Sequence, residues 1–426
     1  PAPAEERMAP DSPDSPQILA SGEPVTLSML EAWALEWNPS IRQASASAMK
    51  SMGFRYQVGR YPNPTVGYSG QQLGDAGTDQ HLGFVTQDII LGGKLALNEQ
   101  VLGHGVQSQL WEVEAQRFRV LTDVRTHYFE AVAAQQRLDA ATDFHAVLVK
   151  GVKVAEARKE AQEGSQPEVL LARVQKNEIE LTQRRSRIAW DAAWKELAAT
   201  VGLRQIQSTR LENPVRPSTE PRDWDATYAD LIERSPELRA ANSRVCRAAA
   251  NVRRQEVQPI PNLELQVAVG HDLATNSQLG QVQAGLPIPI FNNNRGNIDA
   301  AQAEYCRALQ EVERLKMSIS DRLAKAARNF DSARATVDQY EQQILPQSAE
   351  SLRLSEQAYA AGEFGFLEVL TSRRIYFQAN MDLIDARREL SQATATIDGL
   401  LLSGGLDQTV DSPEDDGLRG QALSGQ

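Results

Sequence analysis

At 426 residues, with 41% hydrophobic and 23% charged side chains, the chain has enough apolar material for substantial cores. The net charge of -12 excludes a general nucleic-acid binder, which needs a basic face. No stretch reaches the roughly 18 apolar residues of a transmembrane helix. Cys246 and Cys306 lie far apart in helical contexts and leave the redox compartment open. Pro1 in place of an initiator Met is consistent with removal of an export signal.

Residues 1–25 carry six prolines among Ser, Asp and Glu, a composition that buries no core and predicts a disordered lead-in. A first repeat over 26–203 and a second over 225–403 follow, joined by a linker at 204–224. Asn38-Pro39-Ser40-Ile41-Arg42 returns as Ser235-Pro236-Glu237-Leu238-Arg239, and Pro62-Asn63-Pro64 as Pro259-Ile260-Pro261. Glu168-Val169-Leu170-x-x-Arg173 returns as Glu368-Val369-Leu370-x-x-Arg373. The separations stay between 197 and 200 residues, so two copies of one large unit are predicted rather than a solenoid.

Each copy reads as two shorter helices, a strand pair and a long helical hairpin. The strand pair falls at about 64–90, then again at about 261–289. Leu263, Leu265, Val267 and Val269 alternate with Glu264, Gln266 and Ala268, giving one apolar and one more polar face. Val282, Ala284 and Leu286 repeat the pattern after a loop from Gly270 to Ser277, and Val66, Tyr68, Leu82, Phe84 and Thr86 give a fainter version. Prolines 62, 64, 259 and 261 stop the helices before each pair.

The hairpins are expected at about 92–201 and 294–401. Ile319, Leu323, Ala326, Phe330, Ala333, Val337, Tyr340 and Ile344 alternate spacings of four and three. Val120, Val124, His127, Ala131, Ala134, Leu138, Ala141 and His145 match them 199 residues earlier. This 3.5-residue period is a coiled-coil seam. Residues 94–163 hold no proline, and unbroken they would form a helix of roughly 100 Å at about 1.5 Å per residue. The long helices should end at Gly164 and Gly362 in the left-handed conformation. The chain then reverses through Ser165-Gln166-Pro167 or Glu363-Phe364-Gly365-Phe366. The Gly-, Ser- and Asp-rich tail at 404–426 is expected to be disordered.

The duplicated layout, the Pro-flanked strand pairs and the hairpin with Gly ahead of an acidic residue and Val-Leu resemble the TolC-like outer-membrane efflux channels over about residues 27–403. The segments Leu286 to Asn297 and Gly362 to Leu370 resemble the heavy-metal, CzcC-like branch. The resemblance implies a mainly α chain with a small β part. Three subunits would give four strands each to a twelve-stranded barrel in outer-membrane lipid, with their helices forming a long periplasmic α-barrel. It further implies a passive exit duct docking a periplasmic adaptor and an inner-membrane pump of the RND type. Two departures stand out: no lipidated N-terminal Cys is present, and Thr371 occupies a place where relatives often carry a second acidic residue.

Glu168 and Glu368 start the returning helices. As helix-end carboxylates each contributes about 0.3 to 1 kcal/mol; as part of a threefold ring, with Thr371 nearby, they would line a cation-selective mouth. Arg173 and Arg373 are placed to brace neighbouring helices. Gly164, Ser165 and Gln166, with Gly362, Glu363, Phe364 and Gly365, form the tips for adaptor contact, Phe364 being the better candidate and Phe366 capping the hairpin core. His127 and His145 fall on the seam as core residues, and His81, His104 and His271 carry no metal-ligand spacing. Leu91-Gly92-Gly93-Lys94 lacks the first Gly and the Ser/Thr of a phosphate loop. No catalytic constellation, cofactor or metal site is expected. The competing reading is a soluble periplasmic coiled-coil scaffold with a small sheet, which would need no detergent for extraction.

Overall fold

The computed structural model describes residues 24–74, 77–203, 208–213, 218–411, 415 and 417–424. The first copy forms α1 (Leu27–Trp37), α2 (Pro39–Val58), β1 (Thr65–Gln71), β2 (Gln80–Ile89), α3 (Lys94–Glu160) and α4 (Gln166–Val201). The second forms α5 (Trp224–Arg234), α6 (Pro236–Glu256), β3 (Leu263–Asp272), β4 (Ser277–Gly285), α7 (Arg295–Gln339), a π-helical turn (Tyr340–Ile344), α8 (Leu345–Ala360) and α9 (Phe366–Asp398). A last helix, α10 (Leu418–Ser424), follows. The chain is mainly α with a small β part. None of its described helices is long and apolar enough to cross a membrane.

The repeated X-Pro motif starts the second helix of each copy. Asn38 Oδ1 accepts the Ser40 N–H at 2.9 Å, and Ser235 Oγ accepts the Leu238 N–H at 3.3 Å. Pro sits at the first helical position, where a missing N–H costs no hydrogen bond.

The chain folds as two compact units, each drawing segments from both copies. One takes in the chain up to Arg42, Gln116–Arg234 and Ile319–Gln408; the other takes in Gln43–Ala115, Ser235–Ser318 and the chain from Thr409. In the first unit, Leu30, Trp33, Val120, Val124, Tyr128, Trp194 and Leu197 share one core. His127 Nδ1 lies 2.8 Å from Thr200 Oγ1, so this half-buried seam histidine is hydrogen-bonded within its own bundle. The linker docks where it is described: Leu211 is buried, and Gln135 bonds both its carbonyl and its N–H, at 3.1 and 2.9 Å. One expectation needs correction here. The lead-in ends in a buried Val25 that bridges to Leu211; residues 1–23 lie outside the described part. Apolar Val25 and Leu211 offset the ordering entropy that their polar neighbours alone would not.

The two copies differ by one residue within the long helix. Val120, Val124, Ala131 and Ala134 are buried, as are Ile319, Leu323, Phe330 and Ala333, all 199 residues further on. Beyond the π turn the offset is 200, pairing buried Leu148 with Ser348 and Ala155 with Ser355. The extra residue is taken up where the Leu345 N–H bonds to Tyr340 O, five residues back. Pro346 follows at once, and its missing N–H removes a bond that a regular α-turn would need. The turn thus keeps the buried stripe on one face despite the insertion.

In the second unit the strands form one antiparallel sheet in the order β1-β2-β3-β4. Val66, Val85, Val267 and Val282 lie directly opposite one another across all four strands. These valines are 76%, 47%, 46% and 71% exposed, which marks an apolar face without a partner among the described residues. The other face carries Thr86, Gln266 and Gln283 in register, with Leu82 and Ala268 buried. Pairing runs further than the sequence predicts, since Gly270, His271 and Asp272 belong to β3 and not to a loop. Gly270 permits this, because a Cβ there would strike the His81 carbonyl. Leu286 lies just beyond β4.

The expectation for the tail needs correction as well. Leu418 packs with Val58, Val101, Leu102 and Ala250, and Ala422 with Ile90 and Leu95. The apolar i, i+4 pair Leu418 and Ala422 supplies the burial that the tail's average composition conceals. Beneath α10 lie two fully buried cations, Lys94 and Arg254. Lys94 Nζ donates to Asn262 Oδ1 at 3.0 Å, and Asn262 Nδ2 donates to Ala422 O at 2.6 Å. Arg254 Nε donates to Asn98 Oδ1, and Asn98 Nδ2 donates to Leu418 O at 3.0 Å. Each amide therefore links a cation to a helix carbonyl.

Burial, then repulsion from Arg254, pushes the Lys94 ammonium down to about 8 from its ordinary 10.5. The unfolded chain keeps that proton to near 10.5, so between these values it binds more protons than the folded state. Stability must therefore rise with pH across this window. Protection of the α10 amides from hydrogen exchange, corrected for intrinsic rate, is expected to increase from pH 7.5 to 9.5. Lys94→Met should flatten the profile; a wild-type profile that is flat or falls would contradict the assignment.

Candidate functional site

The two hairpin tips lie in the first unit and are built alike. At the end of α3, Gln162 N–H bonds to Lys159 O at 3.0 Å and Glu163 N–H to Arg158 O at 2.9 Å. At the end of α8, Gly362 N–H bonds to Tyr359 O at 3.1 Å and Glu363 N–H to Ala358 O at 2.9 Å. Both are Schellman turns, with the left-handed residue at Gln162 (φ 61°) and Gly362 (φ 77°). Gly164 is therefore not the terminator that the sequence suggests. The 200-residue offset aligns Gly362 with Gln162, and the glutamine accepts a conformation that costs an L-residue about 1 kcal/mol.

The returning helices start at Ser165 and Gly365 as N-caps, which puts Gln166 and Phe366 first and both glutamates third. Glu368 is exposed, and its Oε2 lies 2.8 Å from the Cβ position of Gly365, so the carboxylate folds back over the helix start. Glu168 is half-buried. Thr371 is exposed and donates its hydroxyl to Leu367 O at 2.9 Å within its own helix.

The tips pack on each other. Val169 and Ala172 of the first hairpin meet Phe366 and Leu370 of the second, together with Ala155, Val152 and Tyr359. Arg158 lies 4.8 Å over the Tyr359 ring, adding a cation–π contact. Arg173 pairs with Glu156 at 2.6 Å and Arg373 with Glu356 at 2.7 Å, so both arginines brace the opposite arm of their own hairpin. Phe366 is buried at the core of this contact, and Phe364 stands 47% exposed. Gly164, Ser165 and Gln166 lie at the turn of the first hairpin, and Gly362, Glu363, Phe364 and Gly365 at that of the second.

Sequence reasoning missed the apolar flanks of the tips: Leu170, Leu354 and Leu367 are 51%, 50% and 61% exposed. Their signal is weak, because a leucine beside a seam reads as core until the packing shows otherwise. The valine row was equally hidden, since the alternation within one strand does not fix the register between strands.

Residues 227–401 match the outer membrane efflux protein family. The cobalt-zinc-cadmium resistance protein CzcC of Cupriavidus metallidurans is 25% identical over 279 residues, covering 64% of this chain and 65% of that protein. The pyoverdine export outer membrane protein OpmQ of Pseudomonas putida is 29% identical over 288 residues, covering 63% of this chain and 58% of that protein. The chain thus spans just under two thirds of the first relative and 58% of the second. A crystallised membrane protein from Pseudomonas aeruginosa shares the fold with a TM-score of 0.75 at 19% identity, over 88% of this chain and 93% of that one. The open-state MtrE outer membrane channel of Neisseria gonorrhoeae does so with a TM-score of 0.72 at 17% identity, over 91% and 90%. Family match, relatives and fold agree: the second copy of the chain matches the outer membrane efflux proteins, and the chain is similar to CzcC and OpmQ.

Proposed function

We propose that the chain is the outer-membrane channel component of a tripartite efflux system, a passive duct for heavy-metal cations. Three copies join their four-stranded sheets into one twelve-stranded barrel, and the long helical hairpins extend into the periplasm. The hairpin tips receive a periplasmic adaptor, and the adaptor connects the duct to an energised inner-membrane pump of the RND type. The relative named for cobalt, zinc and cadmium resistance supports the cargo class.

The observation that carries this reading is the sheet. Its valine face is exposed on every strand, and β1 and β4 each keep one edge without a strand partner among the described residues. An apolar face of this kind suits lipid, and an open edge does not survive there, so closure must come from other copies. Arg at Val267, on the lipid face, should cost roughly 2–4 kcal/mol near mid-membrane. Arg at the adjacent Gln266, on the lumen face, should leave outer-membrane assembly unchanged. Urea titration of protein folded into vesicles measures both, and equal tolerance would argue for a solvated sheet.

At the tips, Glu368 supplies a threefold carboxylate ring at the narrow mouth, with Glu168 in a supporting position and Thr371 adding no charge. Crowded carboxylates favour cations at the mouth. Glu368→Gln should lower cation selectivity in single-channel recordings, with a smaller effect for Glu168→Gln. Unchanged conductance and selectivity combined with a lost helix start would leave Glu368 as a cap alone.

A further inference from the structure

Beyond the valine row, the same face of the sheet ends in two histidines. His81 of β2 and His271 of β3 are direct cross-strand partners, one row past Gly83 and Val269. Partners in an antiparallel pair hold their Cβ atoms about 4.5–5.5 Å apart with side chains on one face, a span that one metal ion bridges through two imidazoles. Both residues are half-buried.

The neighbouring strand fixes one of the rings. Tyr68 of β1 places its hydroxyl 2.5 Å from His81 Nδ1, and the two rings stack with centroids 6.0 Å apart and planes 21° from parallel. With Nδ1 held by the phenol, Nε2 is the nitrogen left for a ligand. A second partner on the far ring nitrogen is the usual device that orients a metal-binding histidine. The backbone of His271 is held in the sheet, while its imidazole makes no side-chain hydrogen bond among the described residues and can turn toward the shared site. Gly70, the residue opposite His81 on the other side, adds no side chain to crowd it.

We propose that His81 and His271 form a site for a divalent late transition metal, with Tyr68 as the positioning residue and water completing the coordination. Imidazole pairs suit Cu²⁺, Ni²⁺ and Zn²⁺ and discriminate against Mg²⁺ and Ca²⁺, which require oxygen ligands. The site stands whichever cargo the duct carries.

The test uses Cu²⁺ as the probe on the full chain, purified in detergent without a polyhistidine tag. Titration is expected to give one site per chain, and paramagnetic resonance should show hyperfine coupling to two imidazole nitrogens. Neither result depends on a variant. His81→Asn and His271→Asn should each weaken binding at least tenfold and leave a single coupled nitrogen, with His104→Asn as the unchanged control. Tyr68→Phe should keep both nitrogens but lower affinity about tenfold, the usual scale for losing an orienting partner. Absence of a one-per-chain site, a spectrum with oxygen ligands only, or two-nitrogen binding that persists in the double variant would overturn the proposal. Unchanged affinity in Tyr68→Phe would remove its positioning role.

Discussion

Everything else in this molecule depends on an edge that it cannot close by itself. Four strands pair in sequence order, and the outer rows of N–H and C=O groups on β1 and β4 find no strand partner among the described residues. In water such edges are tolerable; against hydrocarbon each unsatisfied group costs several kcal/mol. The valine row makes the apolar surroundings the favoured ones for this face. On the proposed reading, a single chain carries both a demand for lipid and a defect that forbids it, and further copies would resolve both by supplying the missing strands. Interior polar residues such as Gln266 and Gln283 then need no burial, because a barrel of about twelve strands holds a water-filled lumen.

The helices answer a different constraint. Long helices with small residues on a 3.5-residue stripe bury little area per residue and depend on register. The copies keep that register to within one residue, and the π turn at Tyr340–Ile344 absorbs the mismatch. Arg387 with Glu341 at 2.5 Å, and Tyr340 with Asp382 at 3.1 Å, tie this turn to α9. Further along, Glu356 with Arg373 repeats the bond of Glu156 with Arg173, so the realigned frame is the one in which the tip packs. The tips inherit their pairing from this frame, through Val169 and Leu370 in one apolar cluster.

Much of this was legible in the residues because it is periodic or punctuated. Proline fences, the seam stripe and the duplicated Glu-Val-Leu signal act locally, and local chemistry decides the helices, the strand pairs and the roles of His127, Phe366 and the two bracing arginines. What stayed hidden depends on partners distant in sequence. The His81–His271 pair exists only through the β2–β3 register, and nothing in the spacing of 190 residues announces it. The order of the tail turns on Leu418 and Ala422 within a segment whose composition argues for disorder. Gly164 is the more obvious terminator in the residues, but the frame of the long helix selects Gln162. The glutamates at the tips stand out in the sequence through the duplicated Glu-Val-Leu signal, while the exposed leucines around them emerge only from packing.

The central claim is that the sheet is one third of a closed barrel. Native mass measurement of the full chain, released intact from detergent micelles, tests it most directly. The account requires a species of three chains that persists when the protein is diluted in detergent. A stable monomer whose β1 and β4 amides are protected from hydrogen exchange would show the edges satisfied within one chain, and would contradict it.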